Sequence, residues 1–472
     1  MNTHTTDSKP DDEFRDRLAT IDVSGKRLWV YARKPFGKLT TARNVVGFVL
    51  IAFFFIAPFL KVNGQELLLL NFLERKFVIF GVQFWPQDFH LFFLAMIALI
   101  VFIIVFTVTY GRLFCGWACP QTVFMELIFR RIEYWIEGSP AEQKKLAEKD
   151  WNAEKIFKKG LKHLVFYVIS FIIGNVFLIY VIGSENWKHL ISDSPANHVA
   201  GFTAMLIFSF IFYFIFSWFR EQVCSIVCPY GRLQGVLLDR NTIVISYDYK
   251  RGETRAHLSR NEDRKSSGMG DCIDCKACVQ VCPTGIDIRN GTQLECINCA
   301  CCIDICNDTM KRNGFKPGLI RYASEKTIAD GTALKFKSRT IAYSAVLLIL
   351  VSAFTYSLSA RHSIEATVLR TPCMLYQDLG NEKISNLYDI KLVNKTRKNI
   401  PIELRLVSPK GEIKLIGEKL TIKEESIGES AFFVILDKKQ LSQEKLTIII
   451  SIYSEGKEVD RTKATFVGPN SN

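Results

Sequence analysis

The chain has 472 residues, 49% of them hydrophobic and 23% charged, with a formal net charge of +13. That average is ordinary for a soluble protein, but five stretches carry no Asp, Glu, Lys or Arg: Asn44–Leu60, Phe89–Tyr110, Leu164–Ile182, Val199–Phe219 and Thr340–Leu358. Each approaches the ~20 residues that cross a ~30 Å hydrocarbon core, which excludes a purely soluble protein.

Residues 1–43 are polar and basic and show no small-residue cleavage site, so the first span is expected to be a retained helix rather than a signal peptide. Nine Lys and Arg fall in residues 1–43 and ten in 111–163, against three in 61–88 and one in 183–198. Basic residues collect on the cytoplasmic side of membrane proteins. The N-terminus, the 111–163 loop and residues 220–339 are therefore expected inside, and residues 361–472 outside. The positive charge reads as topology and not as nucleic-acid binding.

The loop between the first two spans has apolar runs Leu67–Leu70 and Phe77–Phe80 with turn residues at Asn63-Gly64 and Gly81, the pattern of a short hairpin. From Pro120 to Ile136 the periodicity predicts an amphipathic helix along the inner interface. Val123, Leu127, Ile128, Ile132 and Trp135 form its apolar side, and Arg130, Arg131 and Glu133 its polar side. Span two is followed by Cys115-Gly-Trp-Ala-Cys119-Pro120, and span four by Cys224-Ser-Ile-Val-Cys228-Pro229. Two units of paired spans, Cys-x3-Cys-Pro and an apolar helix make an internal repeat. After the fifth span, Leu387–Leu392, Ile402–Leu406, Ile413–Ile416, Ala431–Leu436 and Lys445–Tyr453 are short apolar runs between turn signals, the pattern of a small β-sandwich.

Thirteen of the 14 cysteines fall in the segments expected inside, where disulfides rarely persist, so they read as metal ligands or redox groups. Cys272, Cys275, Cys278 and Cys282-Pro283 follow the C-x2-C-x2-C-x3-C-P spacing of bacterial ferredoxins. Cys296, Cys299, Cys302 and Cys306 repeat it, with Asn307 in place of the final proline and Cys301 as an extra thiol. Because the fourth ligand of each run crosses over, one [4Fe–4S] cluster is expected on Cys272, Cys275, Cys278 and Cys306. The other is expected on Cys296, Cys299, Cys302 and Cys282. A zinc site would use four ligands in pairs, without this eight-ligand duplication.

Cys115, Cys119, Cys224 and Cys228 are expected to form a thiolate site at the membrane's inner edge. Soft sulfur ligands there suit Cu(I), and the helix start after each proline is expected to lower the thiol pKa. His90 and His198 occupy matching places in the repeat, where interfacial hydrogen bonding is the simpler use. Cys373-Met374 is too isolated to read as a copper site.

These motifs resemble the CcoG/FixG/RdxA family of cytochrome c oxidase accessory proteins. The likeness also rests on Glu74-Arg75-Lys76-Phe77, on Phe84-Trp85-Pro86-Gln87-Asp88-Phe89, on Cys228-Pro-Tyr-Gly-Arg232 and on Asn386-Leu-Tyr-Asp-Ile-Lys-Leu-Val-Asn-Lys395. It implies assembly of a cbb3-type haem–copper oxidase, with reduction of Cu(II) to Cu(I) as the activity and the Cys-x3-Cys-Pro cysteines as the copper site.

The expected architecture is a multi-domain integral membrane protein of the bacterial inner membrane. An N-terminal segment (1–43) precedes an α-helical core with the duplicated units (44–238) and a ferredoxin-like α+β module with two [4Fe–4S] clusters (239–338). A fifth transmembrane span (339–360) and an external immunoglobulin-like β-sandwich (361–472) complete the chain. The expected partners are a cytoplasmic electron donor and, for the product, oxidase subunits or a copper transporter or chaperone. The rival readings are a NapH-like quinol-linked electron conduit and a redox-sensing assembly scaffold without enzymatic activity.

Overall fold

The structure is a computed structural model describing residues 19–469, apart from 23, 63, 73–75, 85–87, 195, 197, 259–263, 265, 332–337, 361–363, 372–374, 381, 397, 418–419, 425, 442–443 and 455. Cys373, Met374, Glu74, Arg75 and 85–87 of the sequence motifs lie outside the described residues. The chain divides into two compact units, Met1–Ser352 and Ala353–Asn472.

Among the described residues, five helices are long and apolar enough to cross a membrane: Lys38–Phe59, Phe89–Tyr110, Ala153–Ile182, Val199–Phe219 and Ser338–Ser359. Side chains such as Val49, Ile100 and Leu348 stand exposed along them, as lipid-facing residues do. The third helix begins eleven residues before its uncharged stretch. Asn152 caps it by accepting from the Lys155 N–H, and Lys158, Lys159 and Lys162 in its first turns pair with Glu154 and Glu137. Charged residues can extend a helix where its partners are polar rather than lipid.

The loop between the first two spans forms the expected hairpin, with Leu68 opposite Ile79, and two further pieces of antiparallel sheet. Glu66 fixes this loop by accepting from both the N–H and the hydroxyl of Ser184, each at 2.6 Å.

The helix expected over 120–136 forms, but of its expected polar side only Arg131 is exposed, while Arg130 and Glu133 turn inward. Arg130 and Glu133 are 2% and 3% exposed, whereas Trp135 is 81% exposed. A π-helical turn at Met125–Phe129 lies between the α-helical segments Pro120–Phe124 and Arg130–Ile136. The wider turn rotates the segment Arg130–Ile136 away from the face that a regular 3.6-residue period would give it. Glu133 then meets Arg220 at 2.6 Å and Lys162 at 3.7 Å, and Arg130 meets Glu126 at 3.0 Å. Burial works to raise the Glu133 carboxyl, but Arg220, Lys162 and Arg130 outweigh it and hold it below the ordinary carboxylate range.

In the cysteine-dense segment the two runs share one backbone. Asp274 and Lys276 have φ of 50° and 54°, and their counterparts Asn298 and Ala300 have 55° and 66°. This matching left-handed pair sets the register and places Cys301 where the first run has Ala277. The first run's helix is short, Ala277–Gln280, and ends before Pro283, whereas the second runs from Cys301 to Arg312. A proline restricts the residue before it to extended backbone. Asn307 imposes no such stop, and its side-chain oxygen accepts from the Gly318 N–H at 2.7 Å. Strands Val244–Tyr247 and Ile320–Ala323 pair antiparallel and bring the two ends of the module together.

In the second unit, strand Lys383–Asn394 lies between Ile427–Asp437 and Ile364–Arg370, with Glu412–Leu415 beyond Ile427–Asp437. A separate sheet pairs Glu403–Ser408, Lys445–Ser454 and Lys457–Val467. Tyr388, Ile390, Phe432, Val434, Ile450 and Phe466 pack into one core between them. The strand Lys457–Val467 is not visible as an apolar run because charges interrupt its alternation; only Phe466 and Val467 at its end are buried.

Candidate functional site

Two cavities in the cysteine-dense segment are built from the crossed thiol sets. One is lined by Cys272, Cys275, Cys278 and Cys306 beside Tyr247, Arg289 and Met310. The other is lined by Cys282, Cys296, Cys299 and Cys302, and also by Cys278 and Cys301. Among the described residues, no three His, Cys, Asp or Glu side chains are gathered to hold a single metal ion. Four thiols around a mostly apolar void wider than one ion fit a cubane cluster and not mononuclear zinc. Cys275 is the exposed member of the first set, while Cys299 is buried in the second.

In a chain without bound iron, burial pushes the Cys278, Cys296 and Cys306 thiols up to about 12. Cys299 goes the other way, to about 7. A hydrogen bond from Cys301 holds it down against burial, helped by the Arg43 guanidinium.

The two Cys-x3-Cys-Pro turns are tied by bonds between the repeats, although no three of their four thiols are gathered to hold one metal ion. Arg112 donates to the Cys224 carbonyl at 3.5 Å, Gln121 to the Arg220 carbonyl at 3.2 Å, and Cys115 to Gln234 at 3.4 Å. The repeat extends to the backbone. Gly111 and Arg220, each four residues before the first cysteine of its motif, have φ of 56° and 53°. Cys119 and Cys228 each close their turn by donating to the residue five back, Phe114 and Val223. The motif is therefore not a regular helical i, i+4 pair.

The expected lowering of these thiols' pKa is not found. Burial pushes Cys115 and Cys119 up and Cys224 up to about 12. Arg112 opposes the rise at Cys115, as do the helix-start N–H groups of Gln121 and Thr122 at Cys119. Desolvation outweighs both.

The two sites touch. A β-carbon on Gly116 would lie 2.3 Å from the Ile297 carbonyl oxygen and 2.9 Å from the Cys299 backbone, so the Cys115–Cys119 turn rests directly on the Cys296–Cys299 loop. Trp117 Nε1 donates to the Asn298 carbonyl at 3.3 Å, and Tyr322 donates to the same oxygen at 2.8 Å. Cys115, Ile297, Cys299, Cys301 and Ile305 share one buried cluster. Gly116, Trp117, Asn298, Arg112 and Arg43 were missed as functional residues. Their one sequence signal is position, within or next to a cysteine motif or at the end of an uncharged span. His90 is exposed, and the exposed His198 bonds Asp193 at 2.9 Å.

A family model described as a 4Fe-4S dicluster domain matches residues 219–325, and one described as a 4Fe-4S binding domain matches 92–138. Residues 354–469 match the model for the IG-like fold at the C-terminus of FixG. Proteins RdxA and RdxB of Cereibacter sphaeroides are each 33% identical to the chain. RdxA aligns over 77% of this chain and 79% of its own length, RdxB over 80% and 81%. The nitrogen fixation protein FixG of Rhizobium meliloti is 30% identical, over 81% of this chain and 79% of its own length. With its five membrane-length helices, iron–sulfur domains and immunoglobulin-like unit, the chain belongs to the RdxA/FixG family.

Proposed function

We propose that the protein is a membrane-bound iron–sulfur electron carrier for cbb3-type cytochrome c oxidase assembly, reducing Cu(II) to Cu(I) for maturation of the oxidase copper site. The observation that carries this reading is the contact of Gly116 with the Ile297–Cys299 backbone, which sets the paired thiols against one cluster cavity. Cys272, Cys275, Cys278 and Cys306 hold one cluster and Cys282, Cys296, Cys299 and Cys302 the other. The clusters, when bound, supply one-electron storage. The exposed Cys275 turns its edge of the first cavity to solvent, where a cytoplasmic one-electron donor reaches it. Arg112 and Gln234 fix Cys115 in place, while the half-buried Cys119, Cys224 and Cys228 turn onto the incoming copper ion.

Each Cu(II) takes one electron and leaves as Cu(I), the donor being oxidised by one electron; each thiol that binds the ion releases its proton to solvent and regains one when the ion leaves. Soft thiolates favour the product oxidation state. Oxidase subunits or a copper transporter or chaperone receive the ion. In this reading the N-terminus and clusters face the cytoplasm and residues 361–472 the periplasm, as the Lys/Arg asymmetry requires.

A second reading, the quinol-linked conduit, draws on an apolar cleft of about 560 Å³ among the first, third and fourth spans. It reaches Ala118 and Pro120 on either side of Cys119. One experiment separates the two. Purified protein with chemically reduced clusters is mixed with Cu(II) or with a short-chain quinone. Stoichiometric Cu(I) supports the first reading and quinol formation the second, while inertness toward both leaves a scaffold.

A further inference from the structure

Arg43 stands one residue before the uncharged run of the first span, yet it is only 4% exposed. Its Nη1 lies 3.3 Å from the Cys301 sulfur. Cys301 is 1% exposed, and its own sulfur lies 4.0 Å from the Cys299 carbonyl oxygen. The arginine is held there by a separate contact. The Leu39 and Thr40 N–H groups at the start of the span donate to Asp304 at 3.2 and 2.6 Å. That carboxylate caps the span and pins it to the helix Cys301–Arg312, so the guanidinium one turn further on is fixed against the second cavity. Glu126, the acid whose charge acts on Arg43, is itself engaged with Arg130 at 3.0 Å.

The first cavity is different. Its cation, Arg289, is bound by two carboxylates, Asp274 at 2.5 Å and Asp287 at 2.6 Å. One cavity therefore borders a cation neutralised by acids, and the other a buried cation whose close contact is a thiol. Reduction of a cluster adds one negative charge, and a nearby cation in a poorly screened interior stabilises that charge. Hydrogen bonds and charges near the sulfurs are recognised controls of cluster potential.

We propose that Arg43, acting through Cys301, is a positioning residue that raises the reduction potential of the cluster on Cys282, Cys296, Cys299 and Cys302 above that of its neighbour. The added electron then rests beside Gly116 and the paired thiols. This deepens the proposed function and depends on its cluster assignment, but not on copper.

The test is an EPR-monitored potentiometric titration of the full-length protein in detergent, with iron content measured alongside. Arg43→Leu is expected to move one midpoint to a more negative value and leave the other in place. Arg43→Lys, which keeps the charge, is expected to move it less. In a Cys278→Ser background, which retains only the second cluster, the shift is expected to persist. Should Arg43→Leu lose iron, Arg43→Gln gives the same reading with a neutral side chain that still hydrogen-bonds. Unmoved midpoints, equal shifts of both clusters, or a Lys variant shifted as far as the Leu variant would each overturn the proposal. Failure of the parent to reduce Cu(II) would instead sink the copper reading while leaving the two potentials measurable.

Discussion

Cys301 and its neighbours differ by one position in sequence and by their whole chemistry in space. Its sulfur sits at the Ala277 position of the first run, not at a ligand position. Replacing Cys301 with Ser is expected to leave about eight irons and eight acid-labile sulfides per chain, and Cys278→Ser about half of that. Iron and sulfide analysis of both variants checks the assignment, and lost iron in the Cys301 variant would break it. The same assay reads the Cys-x3-Cys-Pro thiols. The 4Fe-4S model over residues 92–138 contains only Cys115 and Cys119 as cysteines. More than eight irons in the parent, falling in Cys115→Ser, would make these residues cluster ligands and not a copper site.

Glu133 shows how a charged residue can hold an element together from within. Removing one partner of a buried pair costs roughly 3–5 kcal/mol because the other charge is left uncompensated. Glu133→Gln takes the 2.6 Å partner from Arg220 and leaves it, among the described residues, only Glu221 at 3.9 Å, while Lys162 keeps Glu137 at 2.9 Å. A lowered melting temperature in detergent is the expected result. The pH dependence has a definite sign. Because the folded carboxyl titrates below its unfolded value, its contribution is fully present above the ordinary carboxylate pKa of about 4.3. It fades as pH falls toward the lowered folded value. The stability gap between parent and Glu133→Gln should therefore be wide at pH 7 and shrink in acid.

At the scale of elements, the informative contact is turn against loop. Gly116 permits two backbones to approach where a β-carbon would overlap the Ile297 carbonyl. Gly116→Ala is expected to cost about 1–3 kcal/mol through overpacking. It is also expected to slow Cu(I) formation while iron content stays at the parent level. Trp117→Phe keeps the packing but loses the indole donor to Asn298, so it should slow the reaction less. Unchanged melting and unchanged Cu(I) formation in Gly116→Ala would show that the two motifs are not closely joined. The helix over 120–136 carries a related lesson. Its apolar period is visible in sequence, but the π turn at Met125–Phe129 re-aims the later residues. Arg130 and Glu133 consequently turn inward and Trp135 outward. A turn that adds one residue leaves no compositional trace, and no periodicity in the sequence could have revealed it.

For the whole molecule, the Lys/Arg bias predicts that residues 361–472 and the cluster-bearing segment lie on opposite sides of the membrane. Protease added to intact spheroplasts should trim the C-terminal unit and spare the ferredoxin-like block. Cleavage within 253–270 of sealed spheroplasts would reverse the orientation. Sequence alone determined the five spans, the paired cysteine runs, the duplicated Cys-x3-Cys-Pro units and the β-rich C-terminal unit. Each of these is a local property, set by hydrophobic length, ligand spacing or strand alternation along a short stretch of chain. The crossing of Cys306 to the first thiol set and Cys282 to the second was also legible, from the ligand spacing. Only the tertiary structure decided that burial raises the Cys115, Cys119 and Cys224 thiols, and that Gly116 meets Cys299. It alone turned Arg43 onto Cys301. Desolvation, charge pairing and backbone approach depend on residues far apart along the chain, as Arg43 and Cys301 are at 258 positions. Such partners are chosen when the elements pack, and the order of residues along the chain does not record the choice.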